Sequence, residues 1–470
     1  MQPFNHPTIQ PCNHATIQPC TPPHRIAPLI TFRILFGGLM TVGAVRFMLS
    51  GWVERLYVEP RFFFKFYGFE WVEPLGHAGM YVLYSLIAIS AAMVMLGLFY
   101  RVAAAVFFLS FTYSELIDLA NYLNHYYLVC LLAFLMIFLP AHRRFSLDAR
   151  RRPELLVTHV PAWVIHILML QVGLVYFFAG FAKLNPDWLF RAMPMAVWLP
   201  TKADWPLLGL LFKQPWAAFA FSWAGAIYDL TIPFWLLWRP SRPFAYLAVL
   251  VFHLLTKLLF NIGLFPFIMI FNTLIFFSPE FHERWLGKIG YRAGEAPAHY
   301  AFPSFSIKAL RPALALYFAF QLLFPLRFLL YPGNVLWAEQ GYRFAWRVML
   351  VEKVGQATFF VHDPATGHTA EVDNSRYLTS YQEKQMAIQP DMILQYAHFL
   401  EKEYRREHGL DSVRVTVDCF VALNGRASRR FIDPEADLTQ LKDGFRNKDW
   451  ILPNEEMGLC DSSRLTVTSQ

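Results

Sequence analysis

Long apolar runs separated by short polar loops fill most of the chain before residue 332. Runs of about 20 apolar residues are long enough to cross a bilayer as helices. The pattern predicts nine spanning helices, near residues 27–49, 79–99, 102–122, 126–141, 161–183, 216–238, 244–262, 263–278 and 307–331. The fourth and eighth runs are short, and the seventh and eighth adjoin at Asn261. Residues 27–331 are therefore predicted to form a polytopic α-helical membrane domain.

The pattern changes after residue 331, where charged residues become frequent and apolar residues alternate with polar ones. Residues 413–434 are two alternating stretches joined by Asn424-Gly425, which predicts a β-hairpin. Residues 390–409 have helical periodicity and end in a glycine. We therefore predict a small extramembrane α+β domain over 332–470.

The first 26 residues are polar and rich in proline, and they repeat HPTIQPC as HATIQPC. No apolar run precedes the repeat. This composition predicts a disordered leader over 1–26.

Composition supports the membrane assignment, since 56% of the 470 residues are hydrophobic and 16% are charged. The net charge of +7 resides largely in loops between apolar runs, which favours a membrane topology signal over nucleic-acid binding. With nine spans, the basic loops all fall on one side; they are Arg101, 142–152, 239–242 and 279–311. That side is predicted to be cytoplasmic together with the N-terminus, which places the C-terminal domain in a periplasm or lumen. The five scattered cysteines favour neither a metal site nor a disulfide framework.

Polar residues recur at helical spacing inside two of the predicted spans. One set is Ser114, Asp118, Asn121 and His125, and the other is His253, Lys257 and Asn261. Ionisable residues in a membrane are costly and usually face a cavity or each other, so the two sets predict a shared polar cavity. The alternative is that each histidine is packed and hydrogen-bonded without a chemical role.

The segment YFFAGFAKLNPDWL, residues 176–189, ends an apolar helix in a lysine followed by a polar turn. Lys183 could simply extend its ammonium to the membrane interface. Alternatively, burial of an amine in an apolar environment favours its neutral, proton-accepting form. Pro186 disfavours helix at Asn185, so the helix is expected to end near there.

Six segments of the chain, in order, resemble the vitamin K-dependent gamma-carboxylase family. They are MLGLFYR (95–101), Asn124-His125-x-Tyr-Leu, AHRR (141–144), YFFAGFAKLNPDW (176–188), Phe252-His253 with Phe260-x-Ile-Gly263, and RRFIDP (429–434). The resemblance covers roughly residues 27–455 and is closest to a shortened, bacterial-like form. Phe99 and Phe399 stand where animal members have a disulfide between the membrane part and the lumenal domain.

The resemblance implies a reaction that uses vitamin K hydroquinone, a menaquinol in bacteria, with oxygen and carbon dioxide as co-substrates and no metal. Lys183 is implied as the base that deprotonates the hydroquinone, and His125 as a second catalytic residue that serves carboxylation. Asn124, His253 and Met349 are implied to bind the hydroquinone. The hydroquinone becomes an epoxide while a protein or peptide glutamate becomes γ-carboxyglutamate. The implied partners are that substrate and the lipid bilayer, without nucleic acid.

Two other functions remain compatible with the same residues. A quinol epoxidase or related quinone-linked oxidoreductase would use Lys183 without carboxylating a protein. A transporter or membrane scaffold would use the polar residues to conduct protons or to pack, but it has no evident need for the full Lys-Leu-x-x-Asp-Trp motif.

Overall fold

The computed structural model describes residues 23–206, 208–260, 262–292 and 298–454. About 60% of the structure is helical, and a small sheet lies near the C-terminus. The predicted combination of a helical part and a small α+β part is therefore found.

Apolar helices follow the predicted runs closely in the first part of the chain, because each run is long enough to satisfy its backbone internally. The longer ones are Ala27–Leu49, Gly76–Leu96, Tyr100–Leu116, Asn124–Phe138, Trp163–Ala182, Pro215–Leu237, Arg242–Leu259, Phe265–Thr273 and Ser304–Leu323. Short helices connect them, at Trp52–Tyr57, Leu147–Arg151, Pro186–Phe190, Met195–Trp198, Gly209–Phe212 and Pro279–Gly287.

By length and composition, five helices in the described residues can cross a membrane. They are Ala27–Leu49, Gly76–Leu96, Trp163–Ala182, Arg242–Leu259 and Ser306–Leu330. Asn124–Phe138 and Phe265–Phe276 are apolar but shorter. The predicted count of nine spans is thus not confirmed, although helices occupy all nine runs.

The predicted C-terminal end of the third helix, at residue 122, is wrong. It stops at Leu116, a short 3-10 turn covers Leu119–Asn121, and the next helix begins at Asn124. The cause is Asp118, whose carboxylate accepts hydrogen bonds from the backbone N–H groups of Phe64 and Ala120 and so replaces the helical pattern. His125 therefore lies in the first turn of the next helix, and the four polar residues from Ser114 to His125 do not share a helix face.

The end of the predicted leader is ordered. Pro23–Arg25 pairs antiparallel with His159–Pro161, and Ile26 is fully buried. The remaining leader, residues 1–22, lies outside the described residues, as does Asn261.

The C-terminal part contains a four-stranded antiparallel sheet in which the two long strands, Lys353–His362 and Arg414–Leu423, pair along their whole length. Thr369–Glu371 and Arg429–Arg430 add short edge strands. Helix Pro390–His408 packs against the sheet and ends at Gly409, whose φ is +63°. The predicted helix and hairpin are confirmed; Val335–Ala338 and Ser380–Met386 are further short helices.

The sheet domain and the helical part share one apolar core at their junction. Its members include Phe64, Leu119 and Trp188 from the helical part and Phe359 and Val417 from the sheet. Hydrogen bonds also cross the junction: Gln382 donates to the Asp118 carboxylate over 2.9 Å, and the amide of Gln395 pairs with the backbone of Lys65. The residues on either side of the predicted boundary at residue 331 are therefore packed together.

Candidate active site

A close approach of two helices brings Lys183 to a buried carboxylate. Gly180 packs so tightly that a Cβ there would lie 2.6 Å from the backbone nitrogen of Leu230. One helical turn further on, Lys183 Nζ donates to Asp229 Oδ2 over 2.8 Å and to the carbonyl of Ala179 over 3.2 Å. Both side chains of the ion pair are only 7% exposed. The glycine thus allows the approach that pairs Lys183 with Asp229.

The turn after Lys183 is built by the side chains of Asn185 to Trp188. Asn185 Oδ1 accepts from the backbone of Trp188 and caps the short helix Pro186–Phe190, in which Pro186 occupies the first turn. The Trp188 indole donates to the carbonyl of Ser222, and its ring centroid lies 5.2 Å from Lys183 Nζ. This aromatic face stabilises a cation at that distance.

Asp187 connects the same turn to the hairpin of the sheet domain. Its Oδ2 accepts from Arg426 Nη1 over 2.7 Å and from Asn424 Nδ2 over 2.8 Å. Burial would raise the pKa of the Asp187 carboxyl, but the hydrogen bonds from Arg426 and Asn424 outweigh burial and hold that pKa below its ordinary value. The loop that follows Lys183 is therefore anchored by a charged contact with the sheet domain.

Lys183 opens onto an apolar cavity of about 470 Å³, which we call the lysine cavity. Aromatic and aliphatic side chains form most of its wall, including Phe221, Tyr228 and Phe252. It reaches the protein surface beside Ala220 and Val251, which are exposed. A cavity of this size and character suits a flat, apolar ring with a few polar groups.

His253 also faces the lysine cavity and is 1% exposed. Its Nε2 lies 2.9 Å from the hydroxyl of Tyr176, while Nδ1 has no hydrogen-bond partner among the described residues. The Nε2 atom of His253 is therefore hydrogen-bonded within the protein, whereas Nδ1 has no partner among the described residues and can bind a ligand. Lys257, its predicted companion, instead donates to the carbonyl of Gly263 and does not line the cavity.

His125 and Asn124 line a second space of about 310 Å³, which we call the cationic cavity. Arg46 and Arg347 also line it, and no residue that the structure describes in its wall is acidic. Arg347 is 6% exposed, and its Nε has no hydrogen-bond partner in the described part of the chain. Asn124 Nδ2 donates to the carbonyl of Arg347 over 3.3 Å and so holds the arginine segment in place. The cavity has the charge and donors to receive a carboxylate.

The predicted site residues are thus divided between two neighbouring cavities. Lys183 and His253 line the lysine cavity, Asn124 and His125 line the cationic cavity, and Met349 lines both. Asp118, from the first predicted polar set, faces the sheet domain. The prediction of a single cavity shared by the two polar sets is wrong, because the helix break at Asp118 redirects the first set.

Three residues of the site were missed in the sequence. Arg46 lies in the last turn of the first apolar helix, where a cation can simply extend to the interface, and Arg347 lies in a charged segment close to Arg343, so neither has a local pattern that marks a site. Phe265 is one of many aromatic residues, and its contact with both cavities arises only in the tertiary structure. Asp229 has a detectable signal in the sequence, since it lies deep in the predicted span 216–238 and a buried charge needs a partner.

Long apolar helices, a sheet domain packed on them and a buried lysine–aspartate pair in an apolar cavity define a polytopic membrane protein with an enzyme-like site. Residues 22–281 match the HTTM domain model, and residues 307–457 match the model of the vitamin K-dependent gamma-carboxylase lumenal domain. The chain belongs to the vitamin K-dependent gamma-carboxylase family, whose name implies dependence on vitamin K. No solved structure matches the chain.

Proposed function

We propose that this chain is a membrane enzyme that couples epoxidation of vitamin K hydroquinone to carboxylation of glutamate in a protein or peptide. The observation that carries the proposal is the buried Lys183–Asp229 pair in an apolar cavity next to a cationic one. Family membership supports the same reaction.

The lysine cavity fits a hydroquinone in size and chemistry. Its wall is apolar, and Lys183, Asp229 and His253 supply polar groups around it. The exposed edge beside Ala220 and Val251 gives an isoprenoid tail a route to the lipid. When bound there, vitamin K hydroquinone supplies four electrons to oxygen, two for its oxidation to the quinone level and two for the epoxide, and a base strong enough to remove a γ-proton from glutamate.

Lys183 is the group that accepts the first proton, from a hydroquinone hydroxyl. Asp229 Oδ2, 2.8 Å from Lys183 Nζ, orients the amine and offers an acceptor for its proton. Two groups that share one proton can alternate between charged and neutral forms without bulk water. The apolar wall excludes water from this exchange.

The cationic cavity would receive the glutamate side chain, which accepts carbon dioxide. Arg46 and Arg347 neutralise the carboxylate of the glutamate, and a second carboxylate forms on the γ-carbon when its C–H bond breaks and a C–C bond to carbon dioxide forms. His125 and Asn124 lie in the same space as hydrogen-bond donors. In balance, the hydroquinone is oxidised to its epoxide, one oxygen atom leaves as water, and glutamate gains a carboxylate.

A second function, epoxidation without carboxylation, is favoured by one observation: Lys183 and His125 lie in different cavities. One experiment decides between the two. Purified protein in detergent or lipid is incubated with reduced vitamin K, labelled carbon dioxide and a glutamate peptide, and epoxide and label are followed separately. Epoxide with label in the peptide supports the carboxylase, epoxide without label supports the epoxidase, and neither product overturns both.

A further inference from the structure

The two cavities are separated by a wall that is one side chain thick. Phe265, Val348 and Met349 each line both spaces. The ring of Phe265 stands between the two histidines, with its centroid 5.7 Å from that of His125 and 5.7 Å from that of His253. Phe265 is therefore in contact with a proposed site residue on each side.

The chain holds Phe265 at this position through the turn that precedes it. Gly263 has a φ of +59°, a conformation that glycine adopts without strain, and Phe265 then begins the helix Phe265–Thr273. Leu264 is packed against the first apolar helix, where a Cβ at Gly43 would lie 2.8 Å from Leu264 Cδ1. The ring thus follows a turn that depends on the glycine conformation at Gly263 and on the close packing of Leu264.

The other part of the wall comes from a strained segment. Phe344, Trp346 and Met349 have φ values of +57°, +57° and +54°, in a region that side-chain-bearing residues rarely adopt. Such strain persists only where packing enforces it and is frequent at functional sites. Trp346 is 1% exposed and its ring stacks on Tyr127, so packing does enforce the conformation that carries Met349 to the wall.

The two sides of this wall differ in chemistry. The lysine cavity holds the base Lys183 in an apolar space. The cationic cavity holds Arg46 and Arg347, and its rim is open to solvent at Arg46 and Ser50, which are exposed. Water that reached the lysine cavity through the cationic one would quench a strong base before it met a C–H bond. An apolar ring at the boundary prevents this.

We propose that Phe265 is a positioning residue that keeps the hydroquinone ring in the lysine cavity and the acceptor carboxylate in the cationic cavity, so that the γ-carbon meets the base only past the edge of this ring, and so sets how much carboxylation accompanies each epoxidation. The inference rests on the proposed function. Removing the ring merges the two spaces, admits water and lets the acceptor enter the hydroquinone's space. Epoxide should then form without a matching amount of γ-carboxyglutamate.

The first test measures both products from one tube for Phe265→Ala, Phe265→Val and Phe267→Ala. Phe267 lies on the same helix and lines neither cavity, so its variant controls for loss of an aromatic ring. The ratio of epoxide to carboxylate should rise about tenfold or more in Phe265→Ala, and in the same direction in Phe265→Val. A wild-type ratio in either folded Phe265 variant, or an equal rise in Phe267→Ala, overturns the inference.

The second test measures binding without turnover. Labelled vitamin K quinone, which cannot be oxygenated, is titrated with and without a saturating glutamate peptide, and a glutamine peptide serves as the control. The glutamate peptide should leave quinone affinity unchanged in the wild type and weaken it several-fold in Phe265→Ala. If the affinity of Phe265→Ala for the quinone is the same with and without the glutamate peptide, Phe265 does not separate the two ligands. If the wild type makes neither product, the proposed function fails, and this binding comparison still decides whether the ring separates two ligands.

Discussion

Lys183 and Asp229 form a buried ion pair, 2.8 Å between Nζ and Oδ2, although 46 residues separate them in the chain. Replacing one member of such a pair leaves the other charge uncompensated, which costs about 3–5 kcal/mol. A loss of activity in a single variant therefore mixes chemistry with stability. Any test of Lys183 must keep these two effects apart.

We expect Lys183→Ala to abolish epoxide formation and to lower the melting temperature, because it removes the base and leaves Asp229 unpaired. The double variant Lys183→Met/Asp229→Asn should recover the melting temperature without recovering epoxide. Lys183→Arg keeps the charge but cannot give up its proton, and should be as inactive as the alanine variant. Wild-type epoxidation by a lysine variant would leave Lys183 only a structural role, as the buried partner of Asp229.

Gly180→Ala should displace Lys183, because the new Cβ would meet the backbone of Leu230. Overpacking of this kind costs about 1–3 kcal/mol, and a shift of about 1 Å at the base can lower the rate about 10²-fold. Gly173→Ala is the matched control, since its Cβ would meet Pro233 at an ordinary 3.8 Å. Rates of epoxidation and folded yields of both variants should be compared; equal rates would show that helix approach at Gly180 does not position the lysine.

His125→Ala should lose carboxylation more severely than epoxidation. His125 lies in the cationic cavity, so its loss removes a donor to the carboxylate that forms there, at a cost on the order of 10²–10³ in rate. His253→Ala is the useful comparison because His253 faces the lysine cavity, and it should reduce both products together. Both products are counted from one tube and normalised to folded protein. Equal losses of epoxide and carboxylated product in His125→Ala would contradict a role of His125 that is specific to carboxylation.

Asp187→Asn should weaken the contact with Arg426 and Asn424 and lower the melting temperature, in a way that depends on pH. The pKa of Asp187 is below its ordinary value of 3.8, so the carboxylate stabilises the fold at any pH above that value. This contribution is lost as the pH falls through the lowered pKa. The difference in melting temperature between wild type and variant should therefore be constant from neutral pH down to about pH 5 and shrink below about pH 4. A difference that grows on acidification would contradict this assignment.

Topology can be tested with protease on sealed membranes of known orientation. Protease added from the periplasmic or lumenal side should cut the C-terminal domain, 332–470, and leave the arginine-rich loop at 142–160 intact. Cleavage of the loop with survival of the domain would reverse the orientation that the basic loops predict. Permeabilised membranes, in which both are accessible, are the control.

Local sequence determined much of this fold. The first helix occupies Ala27–Leu49, as its apolar run predicts, because a long apolar segment satisfies its backbone only as a helix. Asn424-Gly425 produced the hairpin because both residues accept positive φ, +52° and +72° here. The helix before Lys183 ended where Pro186 predicts, to within a few residues.

Only the tertiary structure decided how the polar residues are grouped. The partnership of Lys183 with Asp229 depends on Gly180 allowing two helices to touch, and neither helix contains that information alone. The helix break at Asp118 depends on a backbone N–H at Phe64, far away in the chain, and it moved His125 into the space lined by Arg46 and Arg347. Periodicity describes one helix at a time, whereas a cavity is made by residues from several elements whose packing fixes which side chains face each other.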